Sequence, residues 1–170
     1  MSAPAELNEV IDKKETFGLN IDGKFPFSNL FIGDAKLMTR SDADEQLLLH
    51  IAFNEAVSLQ GIKFIAGEGK EAEAPRTVKM YVNRVSVSFG DVDSLPPTQV
   101  LELSEADVNN DGKLTPLKQV LFNRTSSLTI FVESNQGEED VTTLGGLKVF
   151  GKSLGSTNVS QLKKVAHDHD

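Results

Sequence analysis

Apolar residues in this chain recur with a period of two, in short runs cut off by turn residues, and no long helical period competes with them. The pattern is clearest between Leu117 and Asp140, LKQVLFNRTSSLTIFVESNQGEED. There Leu128, Ile130 and Val132 fall on one face of an extended chain, and Thr129, Phe131 and Glu133 on the other. Such alternation of β-branched and aromatic residues predicts a strand packed on at least one side. Asn123-Arg124-Thr125-Ser126 reads as a turn joining this strand to one before it, and Asn135-Gln136-Gly137 ends it.

The same period predicts further strands. In QLLLHIAF, Leu47, Leu49, Ile51 and Phe53 form a core face, and Gln46, Leu48, His50 and Ala52 a partly covered one. After Asn54-Glu55-Ala56 the run VSLQGIKFI changes phase across Gln60-Gly61, as a β-bulge does. RTVKMYV, VSVSF (Val85 to Phe89) and QVLEL read as strands. Ser104-Glu105-Ala106-Asp107 resembles a capping box opening one helical turn. A last strand from Thr142 to Phe150 is interrupted at Gly145-Gly146. About eight short strands with turn signals between them favour an antiparallel two-sheet sandwich of jelly-roll type, an all-β fold.

Residues 1–34 are read as a lead-in segment packed on that sandwich through Phe17, Phe25, Phe27 and Phe31. Leu7, Val10 and Ile11 are spaced for a short helix from about Ala5 to Lys14. The sandwich is assigned to 35–160, and a short helix with an acidic, histidine-bearing tail to 161–170.

A length of 170 residues suits one domain with a real core, and a net charge of −8 disfavours nucleic-acid backbones and anionic membranes as partners. No apolar run approaches the ~20 residues of a membrane-spanning helix. The N-terminus lacks the apolar stretch of a secretory signal, and with no cysteine the chain fits the cytosol or nucleus.

Catalytic and metal motifs fail on inspection. Asp107-Val108-Asn109-Asn110-Asp111-Gly112 matches the first half of a calcium loop, but the twelfth position is Lys118 where a bidentate glutamate is needed. It reads as an Asn-Asp-Gly turn. His50 lies mid-strand and reads as structural, while Asp42, Asp44 and Glu138 to Asp140 read as solvated loop charges. No cofactor is expected. The ending His167-Asp168-His169-Asp170 reads as a frayed end, or as an arm offering imidazole and carboxylate to a partner.

Four ordered blocks carry a family resemblance. Ser41-Asp42-Ala43-Asp44-Glu45-Gln46-Leu47-Leu48 resembles the S-D-x-D-E-Q-L-L block of PITH domains. Pro75-Arg76-Thr77-Val78-Lys79-Met80-Tyr81-Val82-Asn83 is similar to the family's P-K-T-V-K-L-F-x-N strand. Pro97-Thr98-Gln99 with Leu101-Glu102-Leu103 is similar to P-T-Q-x-L-E-L. Ser127 to Glu133, followed by Asn135-Gln136-Gly137, resembles the most specific block, S-L-T-I-F-V-E-x-N-Q-G. The resemblance spans about residues 35–165.

It implies a jelly-roll sandwich of the galactose-binding-like type and a non-enzymatic module that associates with the regulatory particle of the proteasome. Without a C-x-x-C pair no redox role carries over, and the chain is expected to be a stand-alone form without the family's thioredoxin domain. Asn135, Gln136, Glu138 and Glu139 of the acidic loop, with His167 and His169 of the tail, are the expected partner contacts. The protein is expected to be a monomer in cytoplasm and nucleus. Two alternatives are a small-ligand or carbohydrate-binding sandwich, and a nuclear signalling or transcription regulator. The sugar reading is weakened by the absence of tryptophan and the presence of a single tyrosine, Tyr81.

Overall fold

The structure, a computed structural model, describes residues 4–110 and 113–155. In chain order its strands begin with β1 (Ala5–Glu6), β2 (Phe17–Leu19), β3 (Thr39–Arg40), β4 (Leu47–Ile65) and β5 (Thr77–Val82). They continue with β6 (Gln99–Glu102), β7 (Thr115–Pro116), β8 (Thr125–Val132), β9 (Thr143–Leu144) and β10 (Gly146–Ser153). A single α-helical turn, α1 (Glu105–Val108), and short 3-10 turns fill the connections between described strands.

β4 is the spine of an antiparallel path β1-β10-β4-β8-β5-β6. Its first half pairs with β2 and β8, and its second half with β10 and β7. A strand that changes partners midway turns a corner and serves both layers of a sandwich. The core shows this directly. Leu47, Leu49 and Ile51 from the first half and Ile62 and Phe64 from the second share one buried cluster with Met80, Leu128 and Ile130. The fold is all-β, an antiparallel jelly-roll sandwich.

Asn54-Glu55-Ala56 therefore does not divide two strands, despite its composition. The chain stays extended there because Ala56 O accepts from Leu154 N and Gly155 N, at 2.8 and 3.2 Å, while pairing with β8 slips between Ala52 and Val57. The bulge falls where the phase change put it. Phe150 lies opposite Gly61 and Gly151 opposite Leu59, leaving Gln60 as the extra residue. Gly151 is required there, since a Cβ would come within 1.9 Å of Ser58 O. The break at Gly145 is also as read. A Cβ on it would lie 2.7 Å from Ala66 O, and the chain passes there from β9, paired with β3, into β10.

Three expected elements are corrected. The spacing of Leu7, Val10 and Ile11 belongs to β1 and a 3-10 turn at Asn8–Val10, in which Leu7 and Ile11 are buried without an α-helix. Val85 to Phe89 is not a strand. It crosses the outer face of the sheet, where Val87 and Val92 bury Leu48, Tyr81 and Phe131 in a second cluster. Leu117 to Phe122 contains a 3-10 turn at Gln119–Leu121, so β8 has no hairpin partner before it, and Thr125 and Ser126 belong to the strand.

Residues 4–34 are joined to the sheet through β1 and β2. Phe27 and Phe31 meet edge to face at 5.5 Å and pack on the core, Phe17 stacks on His50 at 5.0 Å, and Arg40 lies over Phe25.

Candidate docking site

Register decides which loops meet. Leu47 lies opposite Val132, so the chain before β4 and the chain after β8 leave the sheet at the same end. Two acidic stretches far apart in sequence, 41–46 and 134–140, are thereby brought together.

Both loops are held from within. The Asn135 side chain is 1% exposed; its Nδ2 donates to Glu139 O and Val141 O, each at 3.0 Å, and its Oδ1 accepts from Glu139 N at 2.7 Å. Gln136 Nε2 donates to Pro75 O at 2.9 Å and Leu103 O at 2.7 Å, tying the loop to the ends of β5 and β6. On the other side Asn20 Nδ2 donates to Asp44 Oδ1 and Gln46 O, and Asn20 Oδ1 accepts from Ala43 N. Thr142 joins the two loops: its amide donates to Ser41 Oγ at 2.9 Å and its hydroxyl to Glu45 O at 2.5 Å. Satisfied buried amides fix a loop's shape because a lost partner would leave the other stranded.

Between the loops lies an open groove of about 570 Å³, rimmed by Asp44, Glu45, Glu138, Glu139 and Asp140. Among the described residues none of these carboxylates forms an ion pair with Lys or Arg. Nor do the described residues place three His, Asp or Glu side chains so as to hold a metal ion. The arrangement does what a concave patch of one sign does. Such a patch favours a cationic surface over an anionic one.

The expected contacts divide. Glu138 and Glu139 are exposed on the rim, whereas Asn135 and Gln136 turn inward and shape the loop. His167 and His169 lie outside the described residues. Asp44 and Glu45 were not among the expected contacts. The charge density of Ser41 to Glu45 was visible in sequence, but its position opposite Glu138 rests on the β4–β8 register.

Other chemical groups are accounted for internally. His50 Nδ1 lies 3.1 Å from Thr129 Oγ1. Thr129 is fully buried, and Phe17 stacks over the His50 imidazole. Burial pushes the His50 pKa below its usual value, with the charge of Glu15 opposing. The calcium-like stretch is used differently as well. Lys63 Nζ donates to Asp107 O at 2.5 Å and Lys113 O at 3.4 Å, so an ammonium group satisfies carbonyls in that stretch. The Asp107 carboxylate caps α1 through Ser104 N at 2.8 Å, completing the expected capping box.

Comparisons with known proteins agree with this architecture. A family model described as PITH domain matches residues 1–167. Thioredoxin-like protein 1 of Schizosaccharomyces pombe is 34% identical over 95% of this chain and 56% of its own length. PITH domain-containing protein 1 of Dictyostelium discoideum is 32% identical over 61% of this chain and 50% of its own. The chain thus spans about half the length of the curated relatives it matches. Among solved structures, a family 32 carbohydrate-binding module from Clostridium perfringens NanJ, in complex with galactose, superposes with a TM-score of 0.61 at 11% identity. That match covers 87% of this chain and 99% of the module. A second such module, CBM32-3 from a C. perfringens family 31 glycoside hydrolase, gives 0.58 at 16% identity over 86% and 97%. At such identities the likeness establishes a galactose-binding-like fold and carries nothing about ligands.

Proposed function

Because this chain belongs to the PITH domain family, we propose that it is a non-enzymatic adaptor that binds the regulatory particle of the proteasome. The family resemblance supplies the partner. The observation that carries the reading is the acidic groove, in which carboxylates from two distant loops, none of them in an ion pair among the described residues, are held on a braced frame. A preformed acidic groove suits a basic face on a large assembly, with steering from the whole set of charges rather than from one pair. Glu138 and Glu139 are the contacts proposed from the loop, and His167 and His169 those from the tail. In this reading the protein acts as a monomer in cytoplasm and nucleus, and neither nucleic acid nor membrane is a partner.

The likeness to galactose-binding modules lends no support to a sugar ligand here. Tyr81, the only tyrosine, is 1% exposed, and the chain has no tryptophan. Nothing specific favours the transcription-regulator alternative.

The test is co-migration on a native gel. Tagged full-length protein is mixed with purified proteasome, beside a Glu138→Lys/Glu139→Lys/Asp140→Lys variant and a form lacking residues 166–170. The expected result is that full-length protein shifts with the regulatory particle and the charge-reversed form does not. Loss of the shift in the truncated form would add the tail to the contact. Absence of any shift at stoichiometric concentrations overturns the reading.

A further inference from the structure

At the other end of β8 the surface has the opposite character. β5 stops at Val82, and Asn83 takes a left-handed backbone with φ 56°. Its side chain then clasps the start of β8: Nδ2 donates to Arg124 O at 3.0 Å and Oδ1 accepts from Ser126 N at 2.7 Å. The clasp joins Asn83, the residue before Arg84 and Val85, to the backbone of Arg124. The 3-10 turn Gln119–Leu121 lies just before, anchored by the burial of Phe122 and by Lys118 N donating to Gln99 Oε1 at 2.9 Å.

Two properties set this end apart. Val85 is 91% exposed between the Asn83 clasp and buried Val87, and Val120 and Leu121 are 80% and 44% exposed on the 3-10 turn. Scattered exposed apolar residues are ordinary, but neighbouring apolar side chains this open, two of them on an anchored 3-10 turn, mark a surface suited to covering. The second property is charge. Neither residues 74–90 nor residues 113–132 contain an acid, in a chain that carries 25 of them. Arg84, Lys118 and Arg124 are exposed, and none forms an ion pair among the described residues.

We infer that this end is a second docking surface, built for a protein segment that alternates carboxylates with apolar side chains. Charge complementarity gives the carboxylates, and Val85, Val120 and Leu121 give the apolar residues. A phosphate backbone would answer only the cations, and the net charge of −8 repels a long polyanion. The inference uses residues remote from the acidic groove and holds or fails independently of the regulatory-particle reading.

Fluorescence anisotropy tests it on the full chain. The probe is a labelled synthetic peptide repeating Glu-Leu-Asp-Phe; beside it run the same peptide with Ser for Leu and Phe, and an oligothymidylate of equal charge. The expected result is saturable binding of the first peptide, weakened about tenfold or more by Arg84→Glu/Arg124→Glu and by Val120→Ser/Leu121→Ser. Glu138→Lys/Glu139→Lys should change it by less than about twofold, since those residues lie outside the contact. Thermal midpoints monitor folding; if the double variants shift, the single Val85→Ser change, at the most exposed position, carries the test. The inference is overturned if the tip variants bind like the parent, or if the serine peptide or oligothymidylate binds as tightly. It is also overturned if sedimentation shows self-association that the tip variants abolish, because a second copy would then be the occupant.

Discussion

The two ends of β8 are closed by the same device and present opposite surfaces. At one end Asn135 holds the loop that carries Glu138, Glu139 and Asp140; at the other Asn83 holds the junction that carries Arg84 and Arg124. In each case one side-chain amide stands in for strand hydrogen bonds that the backbone no longer makes. The difference is burial. Asn135 is sealed inside the acidic loop, whereas Asn83 is exposed to water. An amide clasp fixes geometry without using charge, so the residues around it are free to carry either sign. Shape at each end comes from the clasp, and preference for a partner from what the clasp displays.

The largest effect expected from this contrast is on Asn135→Ala. It strands Glu139 N and the carbonyls of Glu139 and Val141 in a partly buried site, and should cost about 2 kcal/mol. The midpoint of urea unfolding reads this directly. A loss below about 1 kcal/mol would mean that water replaces the amide and that the loop is not held from inside.

Asn83→Ala should cost less, about 1 kcal/mol, because water can reach the groups it leaves and only the left-handed backbone adds a penalty. If the two asparagines cost the same, burial is not what distinguishes the ends.

Between the ends lies His50, and its effect is on pH dependence. Its folded pKa is lowered from 6.5 by burial, so the unfolded chain binds more protons through that range. Stability from this group is therefore fully present above about pH 6.5 and declines as the pH falls through 6.5 toward the folded value. Thermal midpoints of the parent should drop between neutral and mildly acidic pH more steeply than those of His50→Leu. Parallel curves for the two proteins would remove His50 as the cause.

The smallest stability effect belongs to the rim. Glu138→Lys/Glu139→Lys/Asp140→Lys changes only exposed charges that form no ion pair among the described residues, and should move stability by no more than about 0.5 kcal/mol. A large drop in the thermal midpoint would show that these carboxylates brace the loop as well as decorate it.

Much of the sheet could be read from sequence because its signals are local. The strand Thr77–Val82, the bulge at Gln60, the Ser104–Asp107 capping box and the break at Gly145 each follow from residues a few positions apart. Val85 to Phe89 misled because alternation reports a covered face, and that cover can be a loop lying across a sheet as readily as a strand within it. The helical spacing of Leu7, Val10 and Ile11 misled similarly, since a tight 3-10 turn also brings such residues to one side. The acidic groove was half legible. Each acidic loop stood out by composition, but their meeting depends on Leu47 pairing with Val132, which no local signal encodes. The basic end escaped notice for the same reason, because Asn83 and Arg124 become neighbours only once β5 and β8 are paired.

A double dissociation tests the central claim, that the sandwich presents two independent docking ends. Two proteins, Glu138→Lys/Glu139→Lys/Asp140→Lys and Arg84→Glu/Arg124→Glu, are each assayed against purified regulatory particle and against the Glu-Leu-Asp-Phe peptide. The account predicts that the first loses the particle and keeps the peptide, and that the second keeps the particle and loses the peptide. If either variant loses both ligands while its thermal midpoint is unchanged, the ends are one site or are coupled, and the account is wrong.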